Sequence, residues 1–232
     1  MKKLSSPIDL IKKSFEIYFK KENAIYFLKI YSLLLPFSIV SMVLGNFVSS
    51  HTQGITSEVD AVRIFASFGW AMALMVIINL ASIVVYFWVN ASGIIGVSNI
   101  ISGGKLTVRE VLNLAWKKLW KLALLGIVAG LITVLGFLLL IVPGVLFVVW
   151  FSFASYILII EGLGVKASMQ QSKELVKGRF WPVLGRLFVF GIFADLLQSF
   201  LSFIPFVGSF IAALLGALYI LPNYLLYKEL KG

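Results

Sequence analysis

The stretch LALLGIVAGLITVLGFLLLIVPGVLFVVWFSFASYILII, residues 122–160, runs for 39 positions without a charged side chain. As a single helix at about 1.5 Å per residue it would measure roughly 60 Å, twice the ~30 Å hydrocarbon core of a bilayer. The run therefore has to fold back on itself. The reversal is expected at Pro143-Gly144, because proline cannot continue the backbone ladder and glycine permits a turn. Two membrane spans result, at about 122–142 and 145–160.

The flanking sequence obeys the same arithmetic. An apolar run from about Ala24 to Val48, interrupted only by Lys29 near its start, is long enough to cross once, about 24–48. The polar segment SSHTQGITSEVDAVR, residues 49–63, follows as the natural outer loop. The next run, Ile64 to Ile101, is 38 residues long and fits either one long helix or a tight hairpin, which periodicity does not separate. Charge decides. A hairpin would place Lys105, Arg109, Lys117, Lys118 and Lys121 on the outer face, against the bias of basic residues toward cytoplasmic segments. One crossing is expected, about 64–90, with ASGIIGVSNIISGG as its cytoplasmic continuation ending at Gly103-Gly104. Beyond it, Leu187 to Tyr227 folds back at SFIPFVG, with Pro205 and Gly208, giving spans of about 183–203 and 209–227. The expected fold is an all-α, six-helix transmembrane bundle forming one membrane domain, residues 1–232.

That arrangement gathers nineteen of the twenty basic residues on one side, Arg63 being the exception, and puts both termini in the cytoplasm. A composition of 60% hydrophobic and 13% charged residues, with mean hydropathy +1.01, is that of an integral membrane protein. The basic N-terminus lacks an apolar core followed by a small-residue cleavage site, so the first membrane helix is expected to be retained. The net charge of +10 sits beside apolar spans and not in a soluble basic domain. Anionic phospholipids of the bilayer, and not nucleic acid, are therefore its expected counter-charge. Cysteine is absent, which removes disulfide and thiolate chemistry.

A basic amphipathic stretch precedes each pair of spans, at about 6–21, 106–120 and 164–177. In the first, Leu10, Ser14, Ile17 and Phe19 precede Lys20-Lys21. In the second, Val111, Leu114 and Ala115 precede Lys117-Lys118, and in the third Met169, Ser172 and Val176 precede Lys177 and Arg179. Three units of amphipathic helix plus hairpin, related about an axis along the membrane normal, are the expected internal repeat. Two roles are open for these stretches. Trp116, Trp120, Phe180 and Trp181 can anchor in the headgroup zone with Lys117, Lys118, Lys121, Lys177 and Arg179 on anionic lipid; alternatively the same residues form a docking surface for a membrane-protein partner or a phospholipid headgroup.

Residues 142–185, VPGVLFVVWFSFASYILIIEGLGVKASMQQSKELVKGRFWPVLG, carry a family resemblance. The features are Pro143-Gly144, the acidic Glu161 ending the fourth span, the helix with Ala167 and Ser172, and Lys177-Gly178-Arg179-Phe180-Trp181 leading into the fifth span. The chain resembles the membrane domain found N-terminal to some bacterial glycerophosphodiester phosphodiesterases, together with related stand-alone YciC-like membrane proteins. Similarity extends from about Leu4 onward, with nearly all its specificity in those 44 residues. The resemblance implies a six-span helical protein of the prokaryotic plasma membrane. It does not imply the phosphodiesterase reaction, which belongs to a separate soluble catalytic domain with no counterpart in residues 1–232.

Ionisable residues inside a span are costly, about 2.5–3.5 kcal/mol on insertion scales, and mark candidate sites. Asp195 is the one well within a span. It begins a stripe, Asp195, Gln198, Ser199 and Ser202, at the spacing that shares one helix face. Asn79, Ser82, Tyr86 and Asn90 form a comparable stripe on the second span. Facing stripes can line a solute or ion path, or can lock the bundle through interhelical hydrogen bonds of roughly 0.6–2 kcal/mol each. Gly126-x-x-x-Gly130 and the series Gly208, Ala212, Gly216 read as helix-packing faces. His51, the sole histidine, lies in the outer loop near Glu58 and Asp60 and reads as solvated. With no paired carboxylates, metal cluster, activated nucleophile or phosphate-cradling glycine motif, no enzyme activity and no cofactor are expected. The expected function is that of a non-enzymatic accessory or lipid-interacting scaffold, with a small-solute or ion transporter as the alternative.

Overall fold

The computed structural model describes residues 4–52, 58–204 and 207–232, and every regular element among them is helical. In chain order these are α1 (Pro7–Tyr18), α2 (Lys21–Tyr31), α3 (Leu35–Thr52), α4 (Glu58–Ile101), α5 (Val108–Leu139), α6 (Ile141–Phe151), α7 (Ala154–Tyr156), α8 (Val165–Val176), α9 (Phe180–Ser202), α10 (Val207–Leu214) and α11 (Gly216–Lys231). Among the described residues, six helical stretches are long and apolar enough to cross a membrane: Lys21–Ser50, Ala66–Ile101, Val108–Leu139, Ile141–Glu161, Phe180–Ser202 and Phe210–Lys231. The chain has the build of a multi-pass membrane protein.

Local chemistry explains the breaks. Pro36 has no N–H to offer the Ser32 carbonyl, which is taken instead by Leu35 N–H, so residues 32–34 tighten into a 3-10 turn joining α2 to α3. The run from Ile64 to Ile101 belongs to one helix, α4, whose 44 residues span about 66 Å. It ends where Gly103 adopts φ +72.

Two expectations are revised. The basic stretch at 106–120 is not a separate helix: it is the first half of α5, opened by a capping box between Thr107 and Glu110, with no glycine or proline before Gly126 to interrupt it. The reversal between α5 and α6 falls at Leu140, extended at φ −163, ψ 154, three residues before the expected proline. Pro143 sits in the first turn of α6, where the missing N–H would have had no helical partner. Gly144 serves packing and not the turn: a Cβ on Gly136 would lie 3.1 Å from the Gly144 backbone, so the two glycines let the helices touch.

The packed core lies at the basic end of the bundle. Along α4, Val89, Ala91, Ser92, Ile94 and Val97 are buried, whereas Trp70, Val76, Ile77, Leu80 and Ile83, farther out, are exposed. Each amphipathic stretch buries a rail at i, i+4, i+8 with a small residue at its centre: Leu10, Ser14, Tyr18; Val111, Ala115, Leu119; and Ser168, Ser172, Val176, all at most 2% exposed. Ile17 and Leu114 lie off these rails, and Phe19 is exposed. α1 runs antiparallel along α11, pinned at one end by Ser5, whose N–H donates to Glu229 Oε2 at 3.0 Å and whose hydroxyl donates to Oε1. At the other end the Tyr18 hydroxyl donates to the Leu214 carbonyl at 3.0 Å. Arg186 of α9 closes this clamp, donating to the Ser5 and Leu4 carbonyls at 2.9 and 3.0 Å. Tyr31 fills a hole between Gly93 of α4 and Gly216 of α11, at both of which any Cβ would collide with its ring or hydroxyl.

Candidate functional site

The fourth span does not end as a plain helix. After α6 the backbone breaks at Phe153, φ −105, ψ 0, and its freed N–H donates to Ser172 Oγ of α8 at 3.2 Å. A π-helical turn, Ile157–Glu161, follows and is closed by Gly162 at φ 75. Such turns leave carbonyls without their usual partners. Lys118 of α5 reaches across and donates to one of them, the Ile159 oxygen.

Glu161, the last residue of the turn, ties three elements together. Its carboxylate accepts from the Tyr227 hydroxyl at 2.5 Å and from Gln171 Nε2 at 3.0 Å, and it pairs with Lys231 at 2.9 Å. Tyr227 stacks with Tyr156 at 5.8 Å, and Tyr224 donates to Ser98 Oγ of α4 at 3.0 Å. The ends of α4 and α11, α8 and the π turn thus share one polar and aromatic network.

Around it lie the basic and aromatic residues expected to form a surface. Trp116, Trp120 and Trp181 are 55%, 74% and 77% exposed. Trp116 packs edge-on against Trp88, 5.4 Å between ring centres, and Trp88 donates to the Leu112 carbonyl at 2.8 Å, which fixes α4 against α5. Lys117, Lys121 and Lys177 are exposed and Arg179 half-buried, while Lys118 is turned inward to Ile159. Lys177 also borders a cavity of about 480 Å³ in which Lys173 stands 4.1 Å above the Trp150 ring.

The fold brings the two polar stripes together only in part. Asn79 and Ser82 meet Gln198 in one cavity of about 390 Å³, joined by Ser38 and Ser41 of α3 and by Tyr86. Asp195 lies elsewhere, in a cavity of about 360 Å³ whose other lining residues are apolar, such as Phe137, Val145 and Leu187. Asn90 borders a third cavity of about 260 Å³ between α4, α5 and α6, and Ser199 is exposed. The hydrogen bonds these groups make run along their own helices: Asn79 to the Met75 carbonyl, Ser82 to Ile78, Asn90 to Tyr86, Ser202 to Ser199. The side chains of His51, Glu58 and Asp60 lie outside the described residues. Among the residues described, no group of three or more metal-binding side chains forms.

Sequence reasoning passed over Ser98, Asn99 and Ser102, which line a cavity of about 230 Å³ with Lys118 at the inner end of the α4–α5 seam. The available signal was the cluster of Ser98, Asn99 and Ser102 at the end of the helix just before Gly103-Gly104. Comparison with known protein families, curated proteins and solved structures finds no match for the chain.

Proposed function

We propose that this chain is a non-enzymatic, lipid-interacting scaffold of the prokaryotic plasma membrane, with both termini cytoplasmic and a basic, tryptophan-rich collar as its working surface. One observation carries the reading: the tightly packed core and the exposed Trp116, Trp120, Trp181, Lys117, Lys121 and Lys177 occupy the same end of the bundle. Indole rings favour the headgroup level, and each Lys or Arg near an anionic leaflet contributes about 1 kcal/mol. The three rails, each leading into a helical pair, support an origin of the collar in a threefold repeat.

The test is quenching of tryptophan fluorescence by chain-brominated lipids in vesicles. Brominated phosphatidylglycerol should quench more strongly than brominated phosphatidylcholine at equal mole fraction, and a Lys117→Gln, Lys121→Gln, Lys177→Gln, Arg179→Gln variant should lose that preference. Equal quenching of the parent protein by both lipids sinks the proposal. A second reading, transport of a small solute, draws on the cavity that Asn79, Ser82 and Gln198 share. It requires solute flux in liposomes that Gln198→Leu abolishes.

A further inference from the structure

Two cavities follow one another along the seam between α4 and α5. The inner one is polar, bordered by Ser98, Asn99 and Ser102 of α4, Lys118 of α5 and the π turn at Ile159. Farther out, starting one helical turn away at Ile94 on α4 and Leu122 on α5, the lining becomes mostly apolar, with Phe87, Gly126 and Ala129 beside the polar Asn90 and Ser155. Gly126 keeps this trough open, since a Cβ there would stand 3.2 Å from the Phe87 ring.

The polar cavity is set to donate. Lys118 gives one of its three ammonium hydrogens to the Ile159 carbonyl and has two to spare. Asn99 Oδ1 accepts from Leu106 N–H at 3.2 Å, which leaves its two amide hydrogens as the remaining polar function, one of them beside the Tyr26 hydroxyl. Ser98 Oγ accepts from Tyr224, so its own proton is free to donate elsewhere. The cavity lining carries one cation and no carboxylate. Donors around a single positive charge match phosphate oxygens, and a mostly apolar trough that starts one turn away matches a chain attached to that phosphate.

We propose that the α4–α5 seam holds one anionic glycerophospholipid, its phosphate at Lys118, Asn99 and Ser98 and an acyl chain in the trough beside Gly126 and Ala129. The proposal rests on the lipid-interacting reading but assigns a single, stoichiometric site in place of a diffuse collar. Native mass spectrometry of the purified full chain, titrated with phosphatidylglycerol, phosphatidylethanolamine or inorganic phosphate, tests it. One phosphatidylglycerol per chain should be retained; Lys118→Met should weaken it by roughly tenfold, and Lys118→Arg should restore it. Ala129→Phe, which fills the trough and leaves the polar cavity intact, should weaken it comparably. Ala129→Phe alone decides the matter if circular dichroism shows Lys118→Met unfolded through loss of its bond to Ile159. Retention unchanged by Ala129→Phe overturns the proposal, as does displacement of the lipid by inorganic phosphate, which would make the cavity a free-anion site. Stoichiometric retention that depends on Lys118 and survives the four collar substitutions would uphold the seam even if the quenching experiment fails; loss of both removes the lipid reading altogether.

Discussion

Replacing Glu161 by Gln should be among the most damaging single-atom changes available in this chain. The carboxylate receives a hydroxyl at 2.5 Å, an amide at 3.0 Å and an ammonium at 2.9 Å, from α11 and α8. The amide in Gln has one acceptor oxygen and one NH2 group. If the oxygen stays at the Oε1 position, which Tyr227 and Lys231 share, the new NH2 replaces Oε2, faces the Gln171 donor and finds no acceptor there, and the negative charge that strengthened the other two bonds is gone. A hydrogen bond to a charged group contributes about 1.5–3 kcal/mol net. The Lys231 pair is half in water, with side chains 51% and 18% exposed, and contributes about 0.2–1 kcal/mol. The expected cost of Glu161→Gln is therefore about 2 kcal/mol, against about 1.5 for Tyr227→Phe and about 0.5 for Lys231→Met. Unfolding by added dodecyl sulfate in mixed micelles, followed by circular dichroism, measures each. A double-mutant cycle should give Glu161 and Tyr227 at least twice the coupling of Glu161 and Lys231. A larger coupling to Lys231, or a silent Glu161→Gln, would refute the view that a half-buried, charge-assisted network holds this end together.

Gly144→Ala should cost about 1–3 kcal/mol because its Cβ would run into the Phe137 ring, whereas Pro143→Ala should change stability by less than about 1 kcal/mol, the reverse of what a proline-made turn requires; the same micelle assay ranks them. Tyr18 is pushed up to about 12 by burial, so it ionises in the unfolded chain, near 10, before it does in the folded one. Its contribution to stability should be complete below pH 10, decline as pH rises toward 12, and vanish from the pH profile in Tyr18→Phe, as ultraviolet absorbance of tyrosinate and parallel unfolding curves will show.

How far the fold was legible depended on whether the information was local. An uncharged run of 39 residues has to fold back whatever its neighbours do, whereas the run from Ala24 to Val48 read as one crossing interrupted only by Lys29, and the 3-10 turn that Pro36 imposes on it was passed over. The position of the reversal was less secure, because Pro143 suits a first helical turn as well as a chain reversal and only the Gly136–Gly144 contact distinguishes them. The three amphipathic stretches were visible from their periodicity, yet which residues would be buried was not. Phe19, named with Leu10, Ser14 and Ile17 in the first stretch, is exposed, while Tyr18 next to it is buried, its hydroxyl held by the Leu214 carbonyl 196 positions away. Lys118 was grouped with Lys117 and Lys121 as surface charge. What turns it inward is a carbonyl 41 residues away, freed by a π turn that no local pattern announced.

The division of the bundle into a packed end and an open end follows from the solvent it meets. Between lipid-facing helices there is little hydrophobic gain from association, since acyl chains are as apolar as leucine, and helices are held by close packing and by polar bonds. In this chain those bonds collect at the basic end: the Glu161 network, the Arg186 clamp on Leu4 and Ser5, the Trp88 bond to α5 and the Ser172 bond to Phe153. The outer stretches of α4 and α9 expose Trp70, Leu80, Phe188 and Phe200, and among the described residues Asn79, Ser82 and Ser202 there bond along their own helices. A ligand that must be positioned by several side chains needs the rigid end. A lipid seated there needs, in addition, a chain-sized opening toward the loose one, and the α4–α5 seam joins the two over the roughly two to three helical turns from Lys118 to Gly126 and Ala129.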